Sequence, residues 1–221
     1  NLSIQSNYNY VASIIDVESL VDYVLINSFV VCTDWINWNT SVWRGLDPNG
    51  THQKWGFVLW DEDATFNHYI NYTNVPDESP QAEPCYPEGI YWDPLGVIDI
   101  LNKLRQNDEF QQYYHTRYMD LLNTVFREDV MIPLLESIEN SITPDMPQHI
   151  ARWGGSMDEW RGNVNKIKNF IIDRIEYFPE GLNSCYDLSG PYELSLEVVP
   201  DNIGQIKLNS IIIENGDYPW I

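Results

Sequence analysis

Four side chains in this sequence have the types and spacing to do chemistry. Asp34 and Asn39 lie in Asp34-Trp-Ile-Asn-Trp-Asn39, and Asp61 and Asp63 close the run Lys54-Trp-Gly-Phe-Val-Leu-Trp-Asp61-Glu-Asp63-Ala-Thr-Phe66. Three successive acids at the end of an apolar run, with no basic neighbour after Lys54, repel one another and lose hydration unless a cation sits among them. A divalent metal is therefore expected. The plainer reading makes Asp61 the cap of a helix beginning near Ala64 and leaves Glu62 facing water. Capping needs one acceptor oxygen, and the doubled acid Asp61-x-Asp63 supplies a second carboxylate that adds only repulsion.

The elements that must position these groups can be read on either side. Trp55, Phe57 and Leu59 alternate with Gly56, Val58 and Trp60, apolar on both faces, which predicts a strand buried on two sides. Residues 39–44 predict a partner strand, and Leu46-Asp-Pro-Asn-Gly50 the turn between them. The resulting hairpin carries Asn39 at one outer end and Asp61 at the other, side by side by antiparallel pairing. Upstream, Asp16 is the expected N-cap of a helix running to about Val31, with Glu18 in its first turn and Ser19 at the capping-box position. Leu20, Val21, Val24, Leu25 and Ser28 follow the helical period on its apolar face. Asp34 then falls near the C-terminal end of that helix, where a carboxylate gains proton affinity and suits a general base.

Asp34-x4-Asn39 followed by a later Asp matches the pattern of a protein-kinase catalytic loop, in which the Asp accepts the substrate hydroxyl proton and the Asn and later Asp hold metal. With the segment from Asp16 to Asn27 and the run Trp55-Gly-Phe-Val-Leu-Trp-Asp61-Glu-Asp63-Ala-Thr-Phe66, the chain resembles the spore coat protein H (CotH) family of atypical protein kinases. Asn107-Asp-Glu-Phe110 leading into Tyr114-His-Thr-Arg117-Tyr, and Trp160 leading into Lys168-Asn-Phe170-Ile-Ile-Asp-Arg174, are similar to the helical second half of that family. The likeness runs from about Asp16 to about Phe178. It implies ATP-dependent transfer of the γ-phosphate to Ser or Thr hydroxyls of secreted or surface proteins, with Mg2+ or Mn2+ and a bacterial secreted or cell-surface location. On this reading Asp34 is catalytic, Asn39 and Asp61 hold nucleotide and metal, and Asp63 holds a second ion or orients Asp61. Which of Asp61 and Asp63 is the direct ligand stays open.

No Gly-rich phosphate loop and no strand Lys to pair the phosphates are found in the sequence, and little of it precedes Asp16. The expectation is a kinase-like C-lobe without its N-lobe, inactive in isolation, with further domains on the same polypeptide. Two alternatives come from other classes. Asp-x-Asp after a strand also serves glycosyltransferases, and a Ca2+-dependent surface adhesin would bind metal through the same acids and never nucleotide.

The remaining sequence predicts an α+β fold, mainly α. A loop over residues 69–93 holds four prolines and Cys85, and His68, Tyr69, Tyr72, Tyr86, Tyr91 and Trp92 in and beside it are candidates for gripping a peptide. Helices are expected from Pro94 (with Leu95, Ile98, Leu101 and Leu104), from an Asp108 cap, from Met131 to Ile142, and from Ser156 to Phe178, with a break at Pro144 and Pro147. They form a helical bundle around the hairpin. Arg117, Arg152, Arg161 and Arg174 are expected to pair with carboxylates. Residues 1–180 form the expected lobe. Residues 181–221 are a linker, starting at Gly181–Ser189, and a partial β module in which residues 192–198 pair with 206–210 around Pro200-Asp-Asn.

Composition narrows the function classes. Twelve basic against 33 acidic residues in 221 give a formal charge of −21, which repels nucleic acid and anionic membranes and attracts metal cations. No run approaches a membrane span. Cys32, Cys85 and Cys185 have no metal-ligand spacing, so at most one bridge and one free thiol are expected, with Cys32 a small buried residue.

Overall fold

The computed structural model describes residues 1–36, 38–190, 192–198 and 204–213. About half of the chain is helical, with two small antiparallel hairpins. The central element is α2 (Val17–Phe29), on which Leu20, Val21, Val24, Leu25 and Phe29 are wholly buried. Each such side chain stabilises the fold by about 1.5–3 kcal/mol. The Asp16 carboxylate accepts the Ser19 N–H at 3.2 Å, which is the expected cap. Around α2 pack Ile98, Leu101 and Leu104 of α3 (Val97–Leu104), Phe110, Tyr114 and Tyr118 of α4 (Asp108–Thr124), and Phe178 and Leu182 of α7 (Met157–Tyr186). The Phe29 ring stacks on Phe126 at 3.9 Å and meets Phe178 at 5.3 Å.

The hairpin forms as expected. β1 (Thr40–Trp43) pairs antiparallel with β2 (Gly56–Leu59), Thr40 opposite Leu59 and Trp43 opposite Gly56. Its expected burial on both faces does not occur: Trp55 and Leu59 are more than a third exposed and Trp60 is 64% exposed. Two strands offer little area, and Phe57, tilted against Tyr23 of α2 with ring centroids 5.6 Å apart, is the point at which one face enters the core.

Several element boundaries differ from expectation for local reasons. α1 (Gln5–Ala12) carries one buried side chain, Tyr8, and so no periodic apolar face to announce it. Pro94 lies ahead of α3, whose first turn is capped instead by Asp93, its carboxylate accepting the N–H groups of Val97, Ile98 and Asp99 at 2.7–3.1 Å. Asn107, one residue before Asp108, caps α4 through Phe110 N–H. α5 (Glu128–Ile142) passes through a 3-10 turn, Thr143–Asp145, into α6 (Met146–Trp153), so Pro144 and Pro147 sit in first turns rather than in an open break. α7 keeps its Ser156 cap but continues past Pro179 to Tyr186, through residues expected to be linker.

In the tail, β3 (Ile206–Leu208) pairs with the following β4 (Ile211–Ile213) and not with residues 192–198. Pro200-Asp-Asn lies outside the described residues. The β3–β4 turn is held on α4, where buried Asp120 accepts from Asn209 Nδ2 at 3.0 Å and Ser210 N–H at 2.9 Å.

Two cross-links fix the long loop. Cys85 and Cys185 form a disulfide across 100 residues and Cys32 is free and buried, matching one bridge and one thiol. Arg174, fully buried, donates to the carbonyls of Ser28 and Phe29 at the end of α2 and of Pro80 and Ala82 in the loop, and lies over the Phe178 ring. Its expected carboxylate partner is thus replaced by four backbone carbonyls. Burial lowers its pKa to about 10. Arg117 meets the expectation, forking onto Asp22 at 2.7 and 2.9 Å, whereas Arg152 lies over Trp153.

Candidate functional site

The segment after α2 turns sharply at Val31, whose φ is 49°, and its backbone is then stitched to the residues that follow β2. Phe66 N–H donates to Val30 O at 2.8 Å, Thr33 N–H to Ala64 O at 2.8 Å, and the Thr33 hydroxyl to the same carbonyl at 3.1 Å. These bonds bring Asp61 and Asp63 to the side of Asp34. Thr33 O in turn accepts the N–H groups of Tyr72 and Thr73, so the long loop borders the same point. No helix starts near Ala64; the residues there are turns, and Asp61 caps nothing.

Asp34 and Asn39 close on each other: Asn39 Nδ2 donates to Asp34 Oδ2 at 3.0 Å. The other oxygen, Oδ1, is buried and has no hydrogen-bond partner. Burial raises the Asp34 pKa first, the charges of Asp63 and Asp61 raise it further, and the Asn39 amide works the other way. The direction is the one expected from the sequence, but the cause is burial beside two acids, since α2 ends at Phe29. Asp61 and Asp63 are exposed, and Asp61 holds φ at 59°. Ile36, at φ 71°, is a second strained residue in the site. For such side chains this conformation costs about 1–3 kcal/mol and persists where the surroundings enforce it.

Glu62 departs from the plainer reading. It is half-buried rather than facing water, its Oε2 has no partner, and burial raises its pKa while the Cys32 thiol opposes that by hydrogen bonding. β2 ends at Leu59, and the turn that begins at Asp61, with its φ of 59°, leaves Asp61 and Asp63 exposed and Glu62 half-buried.

The site residues offer only oxygen ligands: the unpartnered Asp34 Oδ1, the Asn39 carboxamide oxygen and two exposed carboxylates. That set fits a hard divalent cation such as Mg2+ or Mn2+. Among the described residues the one group of three potential ligands within 4.8 Å of one another is Glu83, Cys85 and Cys185, whose sulfurs are already joined to each other. Beside Thr73 a cavity of about 550 Å3 runs between residues 73–76 and 89–92, lined by Val75, Tyr86, Tyr91 and Trp92 among others. Three of the aromatics singled out in the sequence therefore share one groove, and Trp92 meets Trp38 edge-on at 6.4 Å.

The body is mainly helical α+β with a short hairpin, and the Asp34–Asn39 pair lies near the two further acids Asp61 and Asp63. The sequence matches the family described as CotH kinase protein over residues 1–178, and the chain belongs to that family. No curated protein and no solved structure matches it.

Proposed function

We propose that Asp34, Asn39, Asp61 and Asp63 form the phosphotransfer centre of a kinase-like C-lobe spanning residues 1–180, acting on Ser or Thr hydroxyls of secreted or surface proteins. The observation that carries this is the Asp34 carboxylate: one oxygen is held by Asn39 Nδ2 and the other is buried without a partner. A general base must be oriented and must keep an oxygen for the incoming proton. Asp34 has both features, and its raised pKa favours proton acceptance.

Asn39 Oδ1 and the Asp61 carboxylate would hold Mg2+ or Mn2+, with Asp63 taking a second ion or orienting Asp61. When bound, the ion neutralises phosphate charge. Sparse protein ligation supports this reading over a Ca2+ cage, since Mg2+ is ordinarily held by one or two carboxylates together with water and substrate phosphates. The aromatic groove beside Thr73 would receive the acceptor segment. The Cys85–Cys185 disulfide is compatible with an oxidising, extracellular setting.

Calorimetric titration of Mg2+-ATP and Mn2+-ATP, into the 221-residue chain and into a longer polypeptide that carries it with a nucleotide-covering lobe, tests the proposal. Binding by the longer polypeptide that Asp61→Ala ends, and that Asp34→Asn leaves intact while its transfer stops, is the expected result. Ca2+ binding without nucleotide binding would overturn it in favour of a surface adhesin.

A further inference from the structure

Tyr23 sits in the middle of α2, 2% exposed, between two rings that belong to the two halves of the site. Trp35, the residue after Asp34, lies 5.7 Å from it, and Phe57, four residues before Asp61, lies 5.6 Å away. A phenylalanine would fill that space equally well. The hydroxyl is what needs explaining, because a buried O–H costs free energy unless it is bonded.

Its partner is Thr40 Oγ1, at 2.8 Å. Thr40 is the first residue of β1, directly after Asn39, and its hydroxyl oxygen also accepts the Ile36 N–H at 3.0 Å. The turn that begins at Asp34 and ends at Asn39 is thus closed twice. One closure joins Asn39 to Asp34; the other joins Ile36 to Thr40, and Tyr23 anchors the second closure to the core helix. Ile36 is a β-branched residue at φ 71°, a conformation that reverts unless its backbone is held. The Thr40 hydroxyl supplies that hold, and Tyr23 fixes the rotamer in which it does so.

We infer that the Tyr23–Thr40 hydroxyl pair is the positioning device of the site, setting the Asn39 carboxamide for its metal and thereby the Asp34–Asn39 bond. The inference rests on the metal-binding reading of Asn39 and Asp61 given above. Neither hydroxyl touches the ion or the reacting atoms; both act through Asn39 and Ile36. Removing groups that orient a metal ligand typically weakens metal affinity about 10–100-fold, and a pair one bond further out belongs at the lower end of that range.

The test is Mn2+ affinity of the 221-residue chain by calorimetry, with thermal midpoints recorded beside it, for wild type, Tyr23→Phe, Thr40→Val, Thr40→Ser, the Tyr23→Phe/Thr40→Val double variant, and Asp61→Ala. Expected are Kd values about tenfold higher in Tyr23→Phe and Thr40→Val, no further loss in the double variant, and wild-type affinity in Thr40→Ser, which keeps the hydroxyl. A core role alone would lower thermal midpoints and leave Kd untouched. Single-variant Kd values within about twofold of wild type, with Asp61→Ala still abolishing binding, would sink the positioning role while the metal reading survives. Absence of Mn2+ binding in wild type would remove both.

Discussion

Replacing Arg174 by Met tests whether a buried cation held by backbone alone is a net stabiliser of this fold. Two of its four carbonyl partners, Ser28 O and Phe29 O, lie at the end of α2, where a cation also meets the negative end of the helix dipole. The other two, Pro80 O and Ala82 O, tie the long loop to that helix end. Each hydrogen bond to a charged donor contributes about 1.5–3 kcal/mol, and each carbonyl left buried without a partner costs about 1–3 kcal/mol. Guanidinium desolvation offsets several kcal/mol of the gross gain. Methionine keeps the contact with Phe178, and Val31 N–H still reaches Ser28 O at 3.3 Å. The net expected loss is about 3–5 kcal/mol. At a urea slope of about 2–3 kcal/mol/M this lowers the unfolding midpoint by about 1–2.5 M. Arg174→Lys, a point donor without the fork, should lose about half as much. Urea denaturation followed by tryptophan fluorescence and by far-UV circular dichroism measures both. A Met variant as stable as wild type would refute the reasoning, since desolvation would then outweigh the four bonds.

The carboxyls of Asp34, Glu62 and Glu88 all have raised pKa values, each chiefly through burial. The folded chain therefore binds more protons than the unfolded chain from the ordinary carboxyl range near 4 up through these raised values, and stability should increase as pH falls through that window; thermal midpoints at pH 7, 6 and 5 that fall steadily would contradict this. Asp34→Asn removes a partly buried charge near Asp61 and Asp63, so it should raise the thermal midpoint. Reducing the Cys85–Cys185 bridge releases a 100-residue separation and should cost up to about 4–5 kcal/mol, read as a urea midpoint shift with dithiothreitol. Asp120→Ala frees the β3–β4 turn, which should be cut by protease faster at unchanged Mn2+ affinity.

What the sequence foretells here is what neighbouring residues decide. The Asp16 cap, the apolar period of α2 and the β1–β2 hairpin all follow from contacts a few residues apart, and each is present. The pairing of Asp34 with Asn39 is equally local, being the closure of one turn. Hairpin geometry in the sequence sets Asp61 beside Asn39, and the approach of Asp61 and Asp63 to Asp34 was not legible in it. The bonds that enforce it run between backbone groups of residues 30–33 and 64–73, and backbone bonds leave no signature in residue type. Glu62 and Arg174 escaped for a related reason: their environments are assembled by distant segments, and side-chain type alone favours solvent for one and a carboxylate for the other. The β3 partner was misplaced because two apolar alternations of similar quality compete, and the shorter connection wins.

The disulfide has a consequence for where this unit can be divided. The family match ends at residue 178, but Cys185 lies seven residues beyond it and Leu182, wholly inside the core, lies between. A protein trimmed to the matched region would leave Cys85 with an exposed thiol, remove Leu182 and Tyr186 from the packing around Tyr118, and cut α7 at Pro179, where a helix is easiest to fray. The smallest stretch that keeps its own staple runs to about residue 190. An expression boundary drawn at the edge of family likeness would therefore yield an unbridged, aggregation-prone lobe, and a measurement of metal binding on it would report on the truncation rather than on the site.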